Sequence, residues 1–226
     1  MNPQPESAAG LVERLRRLDA CAVSDALDTH GLRGVLPGLR PLWPCGRIAG
    51  RVVTVRLVPV QEAPPARVHL GAAAVAVAGP GDVIVVDNRG RVDCGAWGGL
   101  LTLAARQAGV AGVVVHGACR DISEAEELAF PVYGLATTPV TARSRVAEAS
   151  TGSPLDLAGV EVRAGDFVLA DRSGVVAVPA AHAAAVIGDA ERILEREWAM
   201  ADRLRAGASP QEVLGAAYED MLRPRG

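Results

Sequence analysis

Two short groups of residues near the middle of the chain could do chemistry together: Gly98-Gly99-Leu100-Leu101, and Arg120-Asp121 further on. Paired glycines ahead of a helix leave backbone N–H groups bare at its positive end, which favours a carboxylate or a phosphate. Arg120 adds a planar, two-pronged donor for the same kind of anion. Asp121 adds a hard oxygen ligand suited to Mg²⁺ or Mn²⁺. An anion clamp beside a divalent cation matches what a 2-oxo acid presents. The same letters carry a plainer reading. Asp121-Ile-Ser-Glu124 has the spacing of a capping box, and Gly-Gly before a helix is often only a turn.

The elements that must position these residues read as strand, helix, strand. Asp82-Val-Ile-Val-Val-Asp87 is a continuous apolar run of strand length. Leu100 to Ala108 has helical length and good helix formers, and Gly109 stands at a helix stop. Val113-Val-Val-His116 is the next β-branched run. Such a unit predicts two parallel strands joined by a right-handed crossover. The loops at Gly98 and at Arg120 then emerge at one edge of the sheet, where open α/β sheets bind ligands.

The remaining chain supports one α/β domain over 11–207, with a loose N-terminus at 1–10 and a short helical extension at 208–226. Helices are expected at Leu11–Leu18 and at Ala22–Asp28, the second with Ser24 or Asp25 near its start and His30-Gly31 at its end. A strand runs from Arg47 to Val58, and Pro59 closes it. A loop covers 61–67, and Ala72–Ala78 suits either a helix or a strand. A helix over Ser123–Ala129 and a strand at Val132–Leu135 follow, then a long exposed connection over 137–154, rich in Thr, Ser, Gly and Pro. Ala164-Gly-Asp166 repeats the turn grammar of Pro80-Gly-Asp82, and each leads into an apolar strand ending in Asp, a weak internal repeat. Val160–Val162 is a short strand, Ser173-Gly174 a hairpin turn, and Val175–Val178 the returning strand. A long helix follows over Ala181–Arg205, and Ser209-Pro-Gln-Glu212 opens a short last one.

Composition removes several classes of function. Only 3% of residues are aromatic, so Val, Ala and Leu must build the core. A formal charge of −3 gives no basic field for nonspecific nucleic-acid binding. No apolar run approaches the ~20 residues of a membrane span, and the first residues lack a secretory pattern, so a cytoplasmic protein is expected. Cys21, Cys45, Cys94 and Cys119 have no zinc spacing and read as reduced, mostly buried thiols, with Cys119 beside Arg120 the one to watch for reactivity. All 23 basic residues are arginine. A chain without lysine forms no lysine Schiff base, no lysine-bound pyridoxal phosphate and no P-loop lysine contact. Carbon–carbon chemistry beside a carbonyl would need a metal to hold the enolate.

Val23-Ser-Asp-Ala-Leu, Gly50-Arg-Val-Val-Thr-Val, Gly81-Asp-Val-Ile-Val-Val-Asp, Trp97-Gly-Gly-Leu-Leu, Gly117-Ala-Cys-Arg-Asp, Gly165-Asp-Phe-Val-Leu-Ala-Asp and Ser173-Gly-Val-Val-Ala-Val-Pro occur in one order. Over residues 11–207 this resembles the RraA-like family, which includes 4-hydroxy-4-methyl-2-oxoglutarate aldolases and regulators of ribonuclease E activity. The resemblance implies a swivelling β/β/α-type sandwich with a mixed sheet, N-terminal helices and a long C-terminal helix. It implies a homotrimer, or a hexamer of two trimers, with sites between subunits. It further implies that Arg120 holds the substrate carboxylate, that N–H groups across Gly98, Gly99, Leu100 and Leu101 grip the pyruvate part, and that Asp121 ligates a hydrated Mg²⁺ or Mn²⁺. Glu197 of a neighbouring subunit, or Glu195 in reserve, would hold one of the metal's waters.

One departure stands out. Aldolases of the family usually carry an acid, often Asp, 21 positions before the arginine, and here that position is Gly99. Aldol cleavage needs a base for the substrate's hydroxyl proton, whereas oxaloacetate decarboxylation needs only a stabilised enolate. His116, Asp93 and Glu124 are the candidate replacements. His116 ends a strand near the proposed edge and has the imidazole of a proton carrier, although a packed, hydrogen-bonded role suits it equally. The reading is a metal-dependent lyase acting on a short oxo-dicarboxylate and releasing pyruvate. Its rivals are a protein-binding regulator using the acidic stretch Glu124-Ala-Glu-Glu127, and an enzyme performing the same enolate chemistry on a larger oxo acid.

Overall fold

The run Val83–Asp87 forms a strand buried along its whole length, because alternate residues serve two different cores. Val83 and Val85 pack with Val52, Val114, Tyr133, Leu155 and Val162, while Ile84 and Val86 pack on the other face with Val55, Leu57, Trp97, Val113 and Val115. A sheet covered on both faces is the physical reason why the run is continuous instead of alternating.

The computed structural model describes residues 6–63 and 69–215. Within them the strands are β1 (Val35–Leu36), β2 (Arg40–Pro41), β3 (Ile48–Pro59), β4 (Val83–Asp87), β5 (Gly112–Cys119), β6 (Val132–Thr137), β7 (Val146–Thr151), β8 (Leu155–Leu157), β9 (Val160–Val162), β10 (Phe167–Ala170) and β11 (Val175–Val178). The helices are α1 (Ala8–Leu15), α2 (Ala20–Thr29), α3 (Ala72–Val77), α4 (Gly99–Gln107), α5 (Ile122–Glu127), α6 (Ala183–Arg205) and α7 (Pro210–Val213). One mixed sheet runs in the order β1-β11-β10-β3-β4-β5-β6-β2, with β7 also paired to β3, and β8 and β9 form a separate hairpin. The β3–β4, β4–β5 and β5–β6 pairs are parallel, and the other pairings of that sheet are antiparallel. The expected parallel β4–α4–β5 unit is therefore present, and with it a mixed α/β fold with N-terminal helices and a long C-terminal one. A third apolar cluster lies under α1, α2 and α6, where Leu15, Val23 and Leu27 meet Leu169, Val178, Val186 and Ile187. Among the described residues no helix is long and apolar enough to cross a membrane.

Several expectations are corrected. The first helix begins at Ala8 because Ser7 caps it, accepting from the Gly10 N–H at 3.2 Å, so residues 8–10 are not a loose tail; residues 1–5 lie outside those described. The second begins at Ala20, capped by Asp19 and not by Ser24 or Asp25. The ambiguous Ala72 segment is helical. The supposed exposed connection over 137–154 contains β7, which extends the sheet against β3. The loop expected over 61–67 begins with a short 3₁₀ turn at Val60–Glu62, and its residues 64–67 lie outside those described. The last helix has the capping box that its sequence announced, and residues 216–226 of the expected extension lie outside those described.

The internal repeat is real as a turn. Asp82 Oδ2 accepts from the Gly79 N–H and Asp166 Oδ2 from the Arg163 N–H, both at 2.8 Å, with Gly81 and Gly165 both in the left-handed region. The strands that follow differ, β4 running parallel to β3 and β10 antiparallel to it.

Arg14 ties α1 to α6 through a two-pronged pair with Glu191 at 2.8 and 2.6 Å. The guanidinium holds the Glu191 carboxyl below its usual range. A depressed carboxyl contributes stability that is complete above its unfolded pKa and fades as the pH falls through the folded value. Both side chains are partly exposed, so Arg14→Ala is expected to cost no more than about 1 kcal/mol at neutral pH. Urea melts at low and high salt check this: the cost should shrink in high salt and as the pH falls below the ordinary glutamate range.

Candidate active site

A cavity of about 210 Å³ opens at the carboxyl ends of β4 and β5. It is smaller than the ~300–1,000 Å³ pockets of drug-sized ligands, a size suited to an acid of a few carbons. One wall is the turn from Gly95 to Leu101, and another is Arg120-Asp121. His69, Leu70, Thr141, Ala142 and Arg143 complete it.

The glycine turn is held by its neighbours. Trp97 Nε1 donates to Thr102 Oγ1 at 2.9 Å, and that hydroxyl donates to the Gly98 carbonyl at 3.1 Å. Gly98 caps α4 with no side chain of its own, so the first-turn N–H groups face outward from the helix end. One of them, from Gly99, donates to Asp121 Oδ2 at 3.0 Å. The Leu101 side chain is buried, whereas Leu100 is 87% exposed at the cavity.

The Asp121 side chain does not cap α5. The residue's φ is +57°, the left-handed region that a non-glycine residue enters at a cost. The expected capping box is absent. The carboxylate turns instead toward α4 and toward Arg120, whose Nε donates to it at 3.1 Å. The two side chains remain 37% and 29% exposed, neither sealed nor parted. The Arg120 stem lies across Gly95 and Gly98, its Cγ 3.1 Å from where a Cβ on either would stand. A Cβ on Gly98 would also come within 2.8 Å of Asp121 Oδ2. Gly98→Ala is therefore expected to fold, because the Gly98 backbone is extended, yet to displace the Arg120 and Asp121 side chains. Steady-state kinetics should show kcat/KM lower by roughly 10²-fold, as for other misplacements of about 1 Å.

The other sequence candidates lie elsewhere or are engaged. His116 does not line the cavity; its Nδ1 is 3.2 Å from Asp87 Oδ1 and its backbone carbonyl receives two loop N–H groups. Asp93 is paired with Arg91 through two bonds at 2.9 and 2.7 Å. Burial pushes the Cys119 thiol well above its usual range, which makes it an inert core residue. Glu197 stands near Asp19 and Asp25, away from the cavity of its own chain, its carboxyl raised by desolvation and by those two neighbours. Glu195 is exposed on the same helix.

Among the described residues no group of three or more His, Cys, Asp or Glu side chains is placed to share a metal ion. Mg²⁺ typically keeps several waters and takes one or two protein carboxylates. The uncapped, partly exposed Asp121 fits a hydrated hard cation of that kind and does not fit a closed zinc site.

Sequence reasoning missed His69, Thr141 and Arg143 as parts of the wall. They come from segments far apart in the chain, and no local pattern brings them to the cavity.

A family model described as RraA-like (Aldolase/RraA) matches residues 20–177. DlpA of Legionella pneumophila is 30% identical over 226 residues, covering 97% of this chain; the chain spans only 36% of that longer protein. A Halalkalibacterium halodurans protein, named a candidate 4-hydroxy-4-methyl-2-oxoglutarate aldolase, is 29% identical over 94% of this chain and 96% of its own length. Streptomyces coelicolor RraAS2, a solved member of the RNase ES inhibitor RraA family, superposes with a TM-score of 0.76 at 28% identity, covering 89% of this chain and 99% of its own. Cavity, glycine turn and Arg-Asp pair thus sit in a chain that belongs to the RraA-like family.

Proposed function

We propose that the chain is a lyase dependent on Mg²⁺ or Mn²⁺, releasing pyruvate from a short 2-oxo acid by aldol cleavage of the 4-hydroxy-4-methyl-2-oxoglutarate type, by oxaloacetate decarboxylation, or by both. The observation that carries this reading is the left-handed turn at Asp121, which releases its carboxylate from helix capping and holds it beside Arg120 on the wall of one cavity. Asp121 would hold the cation. When bound, that cation supplies the Lewis acidity which spreads the charge of a forming enolate. Arg120 binds the carboxylate of the oxo acid through its free edge, since only its Nε is engaged by Asp121. The open N–H groups of the first turn of α4 donate to the same end of the substrate. The small cavity leaves little room for water around that charge, which strengthens each of these contacts.

The family resemblance supports a homotrimer or a hexamer, in which Glu197 of a neighbouring subunit would reach this site. The exposed apolar side chains of Val77, Leu100 and Trp198 support burial against other copies. The likeness to RraAS2 favours a second reading, a protein-binding regulator that presents the exposed Glu124, Glu126 and Glu127 of α5. One assay separates the two: pyruvate release from oxaloacetate and from 4-hydroxy-4-methyl-2-oxoglutarate, with Mg²⁺ or Mn²⁺ and then with a chelator. The lyase predicts turnover that the chelator stops and the metal restores. The absence of pyruvate from both substrates would leave the regulator.

A further inference from the structure

Glu124 stands just outside the residues that line the cavity, against Gly99, and among the described residues nothing engages its carboxylate. It projects from the first turn of α5, and no hydrogen bond or ion pair reaches it among the described residues. Its position is nevertheless specific. A Cβ built on Gly99 would fall inside the van der Waals envelope of Glu124 Oε2 and 2.7 Å from its Cδ. The carboxylate therefore lies directly over the Cα of a residue that itself forms the cavity wall. Any side chain at 99 would evict it. Gly99 has no conformational need to be glycine, since it is not among the residues with positive φ, and alanine suits the first position of a helix at least as well. What the glycine provides is room.

We propose that Glu124 accepts the substrate's hydroxyl proton during aldol cleavage, with Gly99 clearing the space from which it works. The proposal rests on the lyase reading above. The rival carboxylates are engaged, Asp93 by Arg91 and Asp121 by Arg120 and the Gly99 N–H, and His116 lies against Asp87 and Gly90, not against Gly99. The step balances. The hydroxyl proton on C4 of the oxo acid passes to a Glu124 oxygen, and the electron pair left on that hydroxyl oxygen becomes the second bond of a new carbonyl. The C3–C4 bond breaks, and its pair stays on C3 as the enolate of pyruvate. The proton then returns to C3, which gives pyruvate and restores the carboxylate. Oxaloacetate has no such hydroxyl proton to lose, so its decarboxylation does not call on Glu124 as a base.

The test compares the two reactions in one preparation. Glu124→Gln keeps size and shape and removes the base. It is expected to lower kcat for aldol cleavage at least 100-fold, in the range of a lost general base, with KM changed no more than about two-fold and decarboxylation no more than a few-fold. Gly99→Ala is expected to lower aldol cleavage by a different route, through displacement of the Glu124 carboxylate. Its melting temperature should hold or rise, while its crystal structure shows the Glu124 carboxylate displaced from above residue 99. Aldol cleavage surviving in Glu124→Gln, both reactions falling together, or Glu124 unmoved in Gly99→Ala would each overturn the proposal. A wild-type protein that acts on neither substrate would instead overturn the lyase reading beneath it.

Discussion

Asp121→Asn is expected to abolish metal-dependent release of pyruvate, lowering kcat by 10³-fold or more, while leaving the fold intact. The exchange isolates charge from conformation. Residue 121 sits at φ +57°, and asparagine tolerates that region as well as aspartate does. It can still accept the Gly99 N–H bond through its amide oxygen. It cannot supply the anionic oxygen that a hard divalent cation requires. Asp121→Gly makes the same point more sharply. Glycine enters the left-handed region freely, so relief of about 1–2 kcal/mol of backbone cost should raise stability as activity disappears. Thermal melts beside a pyruvate assay check both variants. An Asp121→Asn protein with undiminished, chelator-sensitive turnover would remove Asp121 from the site.

The second large effect falls on Arg120. Arg120→Lys keeps one positive charge but loses the planar fork that grips a carboxylate with two parallel bonds. It should also loosen Asp121, which leans on the Arg120 Nε. KM for oxaloacetate is expected to rise roughly 30- to 100-fold, about 2–3 kcal/mol of lost binding, with a smaller fall in kcat. Arg120→Ala should lose more in both constants, because the Asp121 carboxylate is then left without its partner. Initial-rate kinetics over a range of substrate concentrations separate the two constants. If KM were unchanged in Arg120→Lys, the carboxylate would be bound elsewhere.

The heart of the fold was legible because its signals are local. Val83–Asp87 is a buried strand wherever it is placed, and Gly109 and Gly81 punctuate the chain at the points where it turns. Those elements suffice to bring Gly98 and Arg120 to one sheet edge, as the parallel β4–β5 pairing confirms. What local pattern could not supply was anything decided by a distant partner. The segment holding β7 reads as a polar connection because half of its character comes from pairing with β3, some ninety residues away. Asp121-Ile-Ser-Glu124 has the letters of a capping box, and only the left-handed backbone at 121 turns the carboxylate elsewhere. His116 has the chemistry of a proton carrier, yet Asp87, its direct neighbour across the β4–β5 pair, claims it. Gly99 looked like the loss of an acid, whereas the carboxylate of Glu124 lies in the space above it. That relation joins two helices and cannot be read from either alone.

One measurement bears most directly on the account: anomalous diffraction from crystals soaked with Mn²⁺ and oxalate, the planar mimic of pyruvate enolate. The account predicts a manganese peak bonded to Asp121, with an oxalate carboxylate against Arg120 and the first turn of α4. Manganese bound away from Asp121, or oxalate seated without contact to Arg120, would contradict it.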